Sequence, residues 1–154
     1  MNYSRMINVM IPVCTAIFIL LPACLENPLI STYSESVPDT VEIKVGNSAY
    51  FPEDSLLLDF IDVINDGRCP LFVQCFWEGQ AEISLGLRIG HQPKIRIPLK
   101  IFGYVDVEDS ARHVATDTLG YQLKLLALNP YPVHPGDYDF NDYTATISIA
   151  KKRR

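Results

Sequence analysis

The sequence predicts an all-β protein: a single antiparallel β-sandwich, or a partly open barrel, of six to seven strands with one short-loop disulfide. Three observations carry that reading. Apolar and polar residues alternate over 81–89 and again over 95–101, short strand-like runs are separated by Gly, Pro and Asn turns, and no segment repeats apolar residues at helical spacing. Between the first and second halves of this pattern lies Asp66 to Gly79, which holds Cys69, Cys75 and the single tryptophan, Trp77.

The chain has 154 residues, enough for one domain with a core, and its N-terminus reads as an export signal. Arg5 is the only charged side chain before Glu26, and Met10 to Leu21 is dominated by Ile, Val, Leu and Phe. That run is shorter than the roughly 20 residues a spanning helix needs, and Pro12 within it and Pro22 after it sit badly in such a helix. It ends in Leu21-Pro22-Ala23-Cys24, which resembles the lipobox of bacterial lipoproteins, with Pro22 departing from the usual residue at that position. The resemblance implies a signal peptide over 1–23 and a lipid anchor on Cys24. The competing reading is an ordinary secretory cleavage after Ala23 that leaves Cys24 as an odd free thiol.

Cysteine usage favours export. Cys14 would leave with the signal and Cys24 would carry lipid, so Cys69 and Cys75 remain as the one pair, which an oxidising compartment would join. Removing Arg5 with the signal leaves 12 Lys and Arg against 18 Asp and Glu, a net charge of −6. Four of those cations are the basic tail, residues 151–154. A body this acidic argues against nucleic acid as a partner, because phosphate binding needs clustered positive charge.

Taken in order, residues 24–40 mix Pro28, Pro38 and a Ser/Thr-rich piece without periodicity, and read as a flexible tether. The domain proper is expected over 41–150. Val41, Ile43 and Val45 alternate with Glu42 and Lys44 in a half-buried strand that Gly46-Asn47 then turns. Ser55 to Ile64 has apolar residues on both faces, with Leu56, Leu58 and Phe60 on one and Leu57, Ile61 and Val63 on the other, so it is expected to be central. The runs from Ala81 to Ile89 and from Ile95 to Ile101 flank Gly90-His-Gln-Pro93 as an antiparallel hairpin. Pro98 cannot donate to a ladder, which puts the second of these strands at an edge. Residues 104–118 are ambiguous; Tyr121 to Leu125 resumes a strand ending at Asn129-Pro-Tyr-Pro132, and Tyr143 to Ile149 is the last.

Asp66-Gly-Arg-Cys-Pro, Val73-Gln-Cys-Phe-Trp-Glu-Gly79, Asn129-Pro-Tyr-Pro132 and Asp142-Tyr-Thr-Ala-Thr-Ile147 together resemble a family of small bacterial secreted proteins and lipoproteins of unknown function. Its signature is Asp-Ser-Arg-Cys-Pro followed by Val-x-Cys-x-Trp-x-Gly. The resemblance covers about residues 41–150 and implies an exported, β-rich domain; it implies no activity. The corresponding location is the cell envelope, lipid-anchored, in the outer membrane if the host is Gram-negative, with secreted or periplasmic protein as the alternative.

Chemistry is thinly marked. Cys69 and Cys75 are not at the spacing of a redox dithiol, and read as a structural bridge with Trp77 packed beside it. Asp66 and Arg68 read as a turn in which Asp66 caps backbone amides and Arg68 pairs with Asp66 or Glu78. The acidic run Asp137 to Asp142 lacks the glycine and glutamate that a calcium loop would place next, and the three histidines are dispersed, so no metal or cofactor is implied. The candidate binding surface is aromatic: Trp77 with Tyr131, His134, Tyr138 and Phe140. The expected role is a non-catalytic module for a protein or glycan ligand, or an envelope-structural part. The alternative is a small hydrolase whose two carboxylates are brought together by folding.

Overall fold

The computed structural model describes residues 40–109, 111–136 and 139–152, and the backbone of 30–32. The expected signal peptide, Cys24, most of the expected tether, Tyr138 and the last two residues of the basic tail lie outside the described residues. The protein is all-β, with two sheets packed face to face and one short 3-10 turn at Phe140–Asp142.

Nine strands occur among the described residues: β1 (Ile30–Thr32), β2 (Thr40–Lys44), β3 (Ser48–Phe51), β4 (Leu56–Asp66), β5 (Gln80–Ile89), β6 (Ile95–Phe102), β7 (Ala115–Thr118), β8 (Tyr121–Asn129) and β9 (Thr144–Lys151). One sheet has the order β1-β3-β4-β5-β6 and the other β2-β9-β8-β7. Every pairing is antiparallel except that of the short β1 with β3. As the alternation required, β4 is central, β5 and β6 form a hairpin, and β6 with Pro98 is an edge.

Three strands match none of the runs placed from the sequence, and all are short: β1 has three residues and β3 and β7 four each, too few for a period of two to stand out from their surroundings. The turn at Gly46-Asn47 does not make a hairpin; it carries the chain from β2 in one sheet to β3 in the other, where Phe60 and Asn47 bond through their backbones. Within the expected tether, Ile30–Thr32 pair with β3. The basic tail is also partly docked: Lys151 ends β9, and the Lys152 amide donates to the Gly120 carbonyl.

Core side chains come from the inner faces of both sheets, with Phe51, Leu58, Phe60, Leu85 and Leu99 of one meeting Leu123, Leu125, Ala145 and Ile147 of the other. Period two is broken at three places that matter. In β4 the pairing shifts between Phe60 and Asp62 and again between Val63 and Asn65. Each bulge adds one residue, so Val63, expected on the outer face, turns inward, and Asp66 turns inward after it. A third shift, between Leu125 and Ala127 in β8, turns Leu128 into the core.

Candidate functional site

The bulges in β4 bring a carboxylate into the interior, and the structure answers it with Arg68. Asp66 accepts from Arg68 Nε at 2.9 Å and Nη2 at 2.6 Å, and both side chains are almost wholly buried. The Tyr143 hydroxyl donates to the same carboxylate at 2.8 Å, and the Arg68 amide reaches it at 3.2 Å. Arg68 Nη1 donates to the Leu128 carbonyl at 2.8 Å and Nη2 to that of Pro130 at 3.2 Å, while the guanidinium lies 4.5 Å from the centre of the Tyr131 ring. Burial, with the Asp66 bond second, pushes the Tyr143 hydroxyl far above the usual tyrosine range. No buried side-chain polar atom lacks a partner among the described residues, so the cluster is internally satisfied. Of the two partners the sequence offered Arg68, the fold selects Asp66; Glu78 pairs with Arg112 at 2.7 Å instead.

This cluster is the base on which residues 67–79 stand. Backbone bonds from Gly67 to Gln80 and from Cys69 to Glu78 prolong the β4–β5 ladder past its regular end. Gly79, at a φ of 71°, packs so closely that a Cβ would fall 2.0 Å from the Gly67 oxygen. The Cys69–Cys75 disulfide forms, with Cα atoms 6.0 Å apart. The Tyr131 hydroxyl donates to the Cys69 carbonyl and that of Tyr104 to the Pro70 carbonyl, their rings stack at 5.8 Å, and the Leu71 amide donates to the Pro132 carbonyl.

Trp77 departs from the expectation of a packed ring: it is 63% exposed, while the side chains that hold the loop through its carbonyls are Tyr131 and Tyr104. Its neighbours are also outside: Phe76 is 104% exposed, Phe72 78% and Leu71 52%. The result is an apolar loop, rigidly held, with its large side chains in solvent. A shallow groove of about 470 Å³ runs along it between Val73, Gln74, Phe76, Trp77 and Tyr104.

The other candidate residues divide. Tyr131 is half-buried, braces the loop through its bond to the Cys69 carbonyl, and lines the hollow beside Pro130 and Tyr143. His134 is exposed and lies 6.2 Å from the Phe72 ring, which places it at the border of the loop. Phe140 is exposed, 6.0 Å from the Tyr143 ring. Leu71, Phe72 and Phe76 were not singled out in the sequence. A signal was present: residues 69–77 contain no Asp, Glu, Lys, Arg or His in a domain that is otherwise acidic.

One place where a carboxylate pair lines a hollow is a depression of about 210 Å³ formed by Pro130, Val133, Asp139, Asp142 and Tyr143. Both carboxylates already have partners there. Asp139 caps the 3-10 turn by accepting from the Asn141 backbone and side chain, and Asp142 pairs with Lys44 at 3.4 Å. His113 is buried, with its ring nitrogens 3.0 Å from the carbonyl oxygens of Leu125 and Asp106, and ties the 103–114 loop to β8. No group of three or more His, Cys, Asp or Glu side chains is arranged to hold a metal among the described residues. No family model, curated protein or solved structure matches the chain.

Proposed function

We propose that this chain is an exported bacterial lipoprotein, acylated at Cys24 after removal of residues 1–23, whose β-sandwich serves as a non-catalytic binding or structural module of the cell envelope. The observation that carries the reading is the braced loop that keeps Leu71, Phe72, Phe76 and Trp77 in solvent. Four large apolar side chains held in solvent on one braced loop support a role in contact, because exposed apolar surface is favourable to cover. The disulfide suits an oxidising compartment, and the lipobox resemblance and family signature support the same location.

The test is the N-terminus of the mature protein. Mass spectrometry of chain recovered from membranes should find Cys24 first and carrying acyl groups, and Cys24→Ser should leave the protein unprocessed or release it. Recovery of a soluble species beginning at Cys24 with a free thiol would refute the anchor.

A further inference from the structure

We infer that the apolar loop is a lipid-contacting surface: Leu71, Phe72, Phe76 and Trp77 lodge in the interfacial layer of the membrane that carries the anchor, so the domain docks on the bilayer instead of standing off it. The inference rests on the lipoprotein reading for its location alone.

Four observations select a bilayer as the occupant. The first is charge. Residues 69–77 have no ionisable side chain, and the charges that bound them are already engaged, Arg68 with buried Asp66 and Glu78 with Arg112. The loop therefore enters an apolar layer without desolvating an unpaired charge. The second is shape. A Phe76 side chain with its whole surface free stands clear of its neighbours, as a side chain entering a fluid layer must, and Trp77 beside it has the amphipathic ring that favours the headgroup boundary.

The third is the path of the chain. β1 runs parallel to β3, and β3 antiparallel to β4, whose Asp66 end carries the loop, so β1 is entered from the side on which the loop lies. Ile30 stands level with Ser48 and Asp59, and because of the two bulges Asp59 and Asp66 lie opposite Gly86 and Ala81, five residues apart on β5, or about 17 Å. Six residues separate Cys24 from Ile30 and reach at most about 20 Å. A lipid on Cys24 can therefore reach the level of the loop, so that anchor and loop can meet the same bilayer.

The fourth is what surrounds the loop. Asp106, Glu108 and Asp109 lie on the adjoining 103–114 loop, while Lys151 and Lys152 are at the opposite end, paired with Asp54 and Asp117. Two copies meeting loop to loop would bring these acidic groups together. The same groups give the loop no attraction for anionic lipid, so its membrane affinity is apolar in origin and belongs to neutral headgroups.

Trp77 is the only tryptophan and reports directly. The core is drawn from residues 41 to 149, so a chain beginning at residue 24 with Cys24→Ser keeps every core side chain and removes the lipid. With phosphatidylcholine vesicles its emission should shift to the blue and be quenched by lipids brominated near the headgroup end of the chain. Phe72→Ser/Phe76→Ser should lower partition at least about tenfold with unchanged thermal unfolding. Adding phosphatidylglycerol should give no increase, and high salt no decrease.

Absence of shift and co-sedimentation with both lipid compositions would overturn the inference, as would equal partition of the wild type and the double variant. A concentration-dependent blue shift without vesicles would assign the surface to a second copy. A photo-crosslinker at position 76 of the anchored protein that yields protein adducts in place of lipid adducts would assign it to a protein partner. Acylation is read separately on the full chain, so an unmodified Cys24 with vesicle partition intact removes the lipoprotein reading alone, and the converse removes this one alone.

Discussion

Arg68 and Asp66 meet through two parallel contacts, Nη2 to Oδ2 at 2.6 Å and Nε to Oδ1 at 2.9 Å, inside the protein and at the foot of the disulfide loop. The pair is two residues apart in sequence yet ties β4 to the segment after β8, because the remaining guanidinium donors reach Leu128 and Pro130. Arg68→Met would leave the Asp66 carboxylate buried without its cation. A loss of about 3–5 kcal/mol in urea unfolding is expected. Asp66→Leu/Arg68→Met should recover part of that loss, because no unpaired charge then remains; a double variant no more stable than Arg68→Met would show that the carbonyl contacts of Arg68 dominate.

Tyr143 gives the fold an alkaline limit. Its hydroxyl, with those of Tyr121 and Tyr131, is raised above the ordinary value of 10.0, in each case mainly by burial. The folded protein therefore keeps protons that the unfolded chain gives up first. Their stabilising contribution is complete below about pH 10 and falls as the pH rises beyond it. Tyr143→Phe should reduce that slope and cost about 1–2 kcal/mol at neutral pH through the lost bond to Asp66. Absorbance titration of phenolate alongside denaturant melts checks both.

Gly103 is required by space. A Cβ there would lie 2.0 Å from the Glu78 carbonyl oxygen and 3.1 Å from the Tyr131 hydroxyl, and the Glu78 backbone cannot swing aside as a side chain would, so Gly103→Ala must shift the backbone between the two loops. Gly136 has a positive φ of 80° but open space around it, and Gly136→Ala should cost only about 1–2 kcal/mol. Gly103→Ala should be clearly the worse of the two in thermal melts.

The disulfide closes a ring of seven residues, for which chain entropy gives about 2.4 kcal/mol. Cys69→Ser/Cys75→Ser should lower the melting temperature by several degrees and keep the β-sheet signal. Trp77 should be a poor reporter of that unfolding. Because its ring is already in solvent, native emission should be long in wavelength and readily quenched by acrylamide; a blue-shifted native spectrum in the absence of lipid would mean that the ring is covered.

The sequence by itself determined the fold class, the β5–β6 hairpin with its Pro98 edge, the central place of β4 and the closing of Cys69 onto Cys75. Each follows from information within a few neighbouring residues: a period of two, a missing amide donor, apolar residues on both faces, or two cysteines six positions apart. Only the tertiary structure decided where Asp66 and Trp77 point. One extra residue at each bulge reverses every inside-outside assignment after it, and the sequence of β4 contains no mark of where the ladder slips. Trp77 is exposed while Tyr104 and Tyr131, distant in the chain, hold the loop carbonyls, and which aromatic side chains from separate segments engage the loop is settled only when the sheets pack.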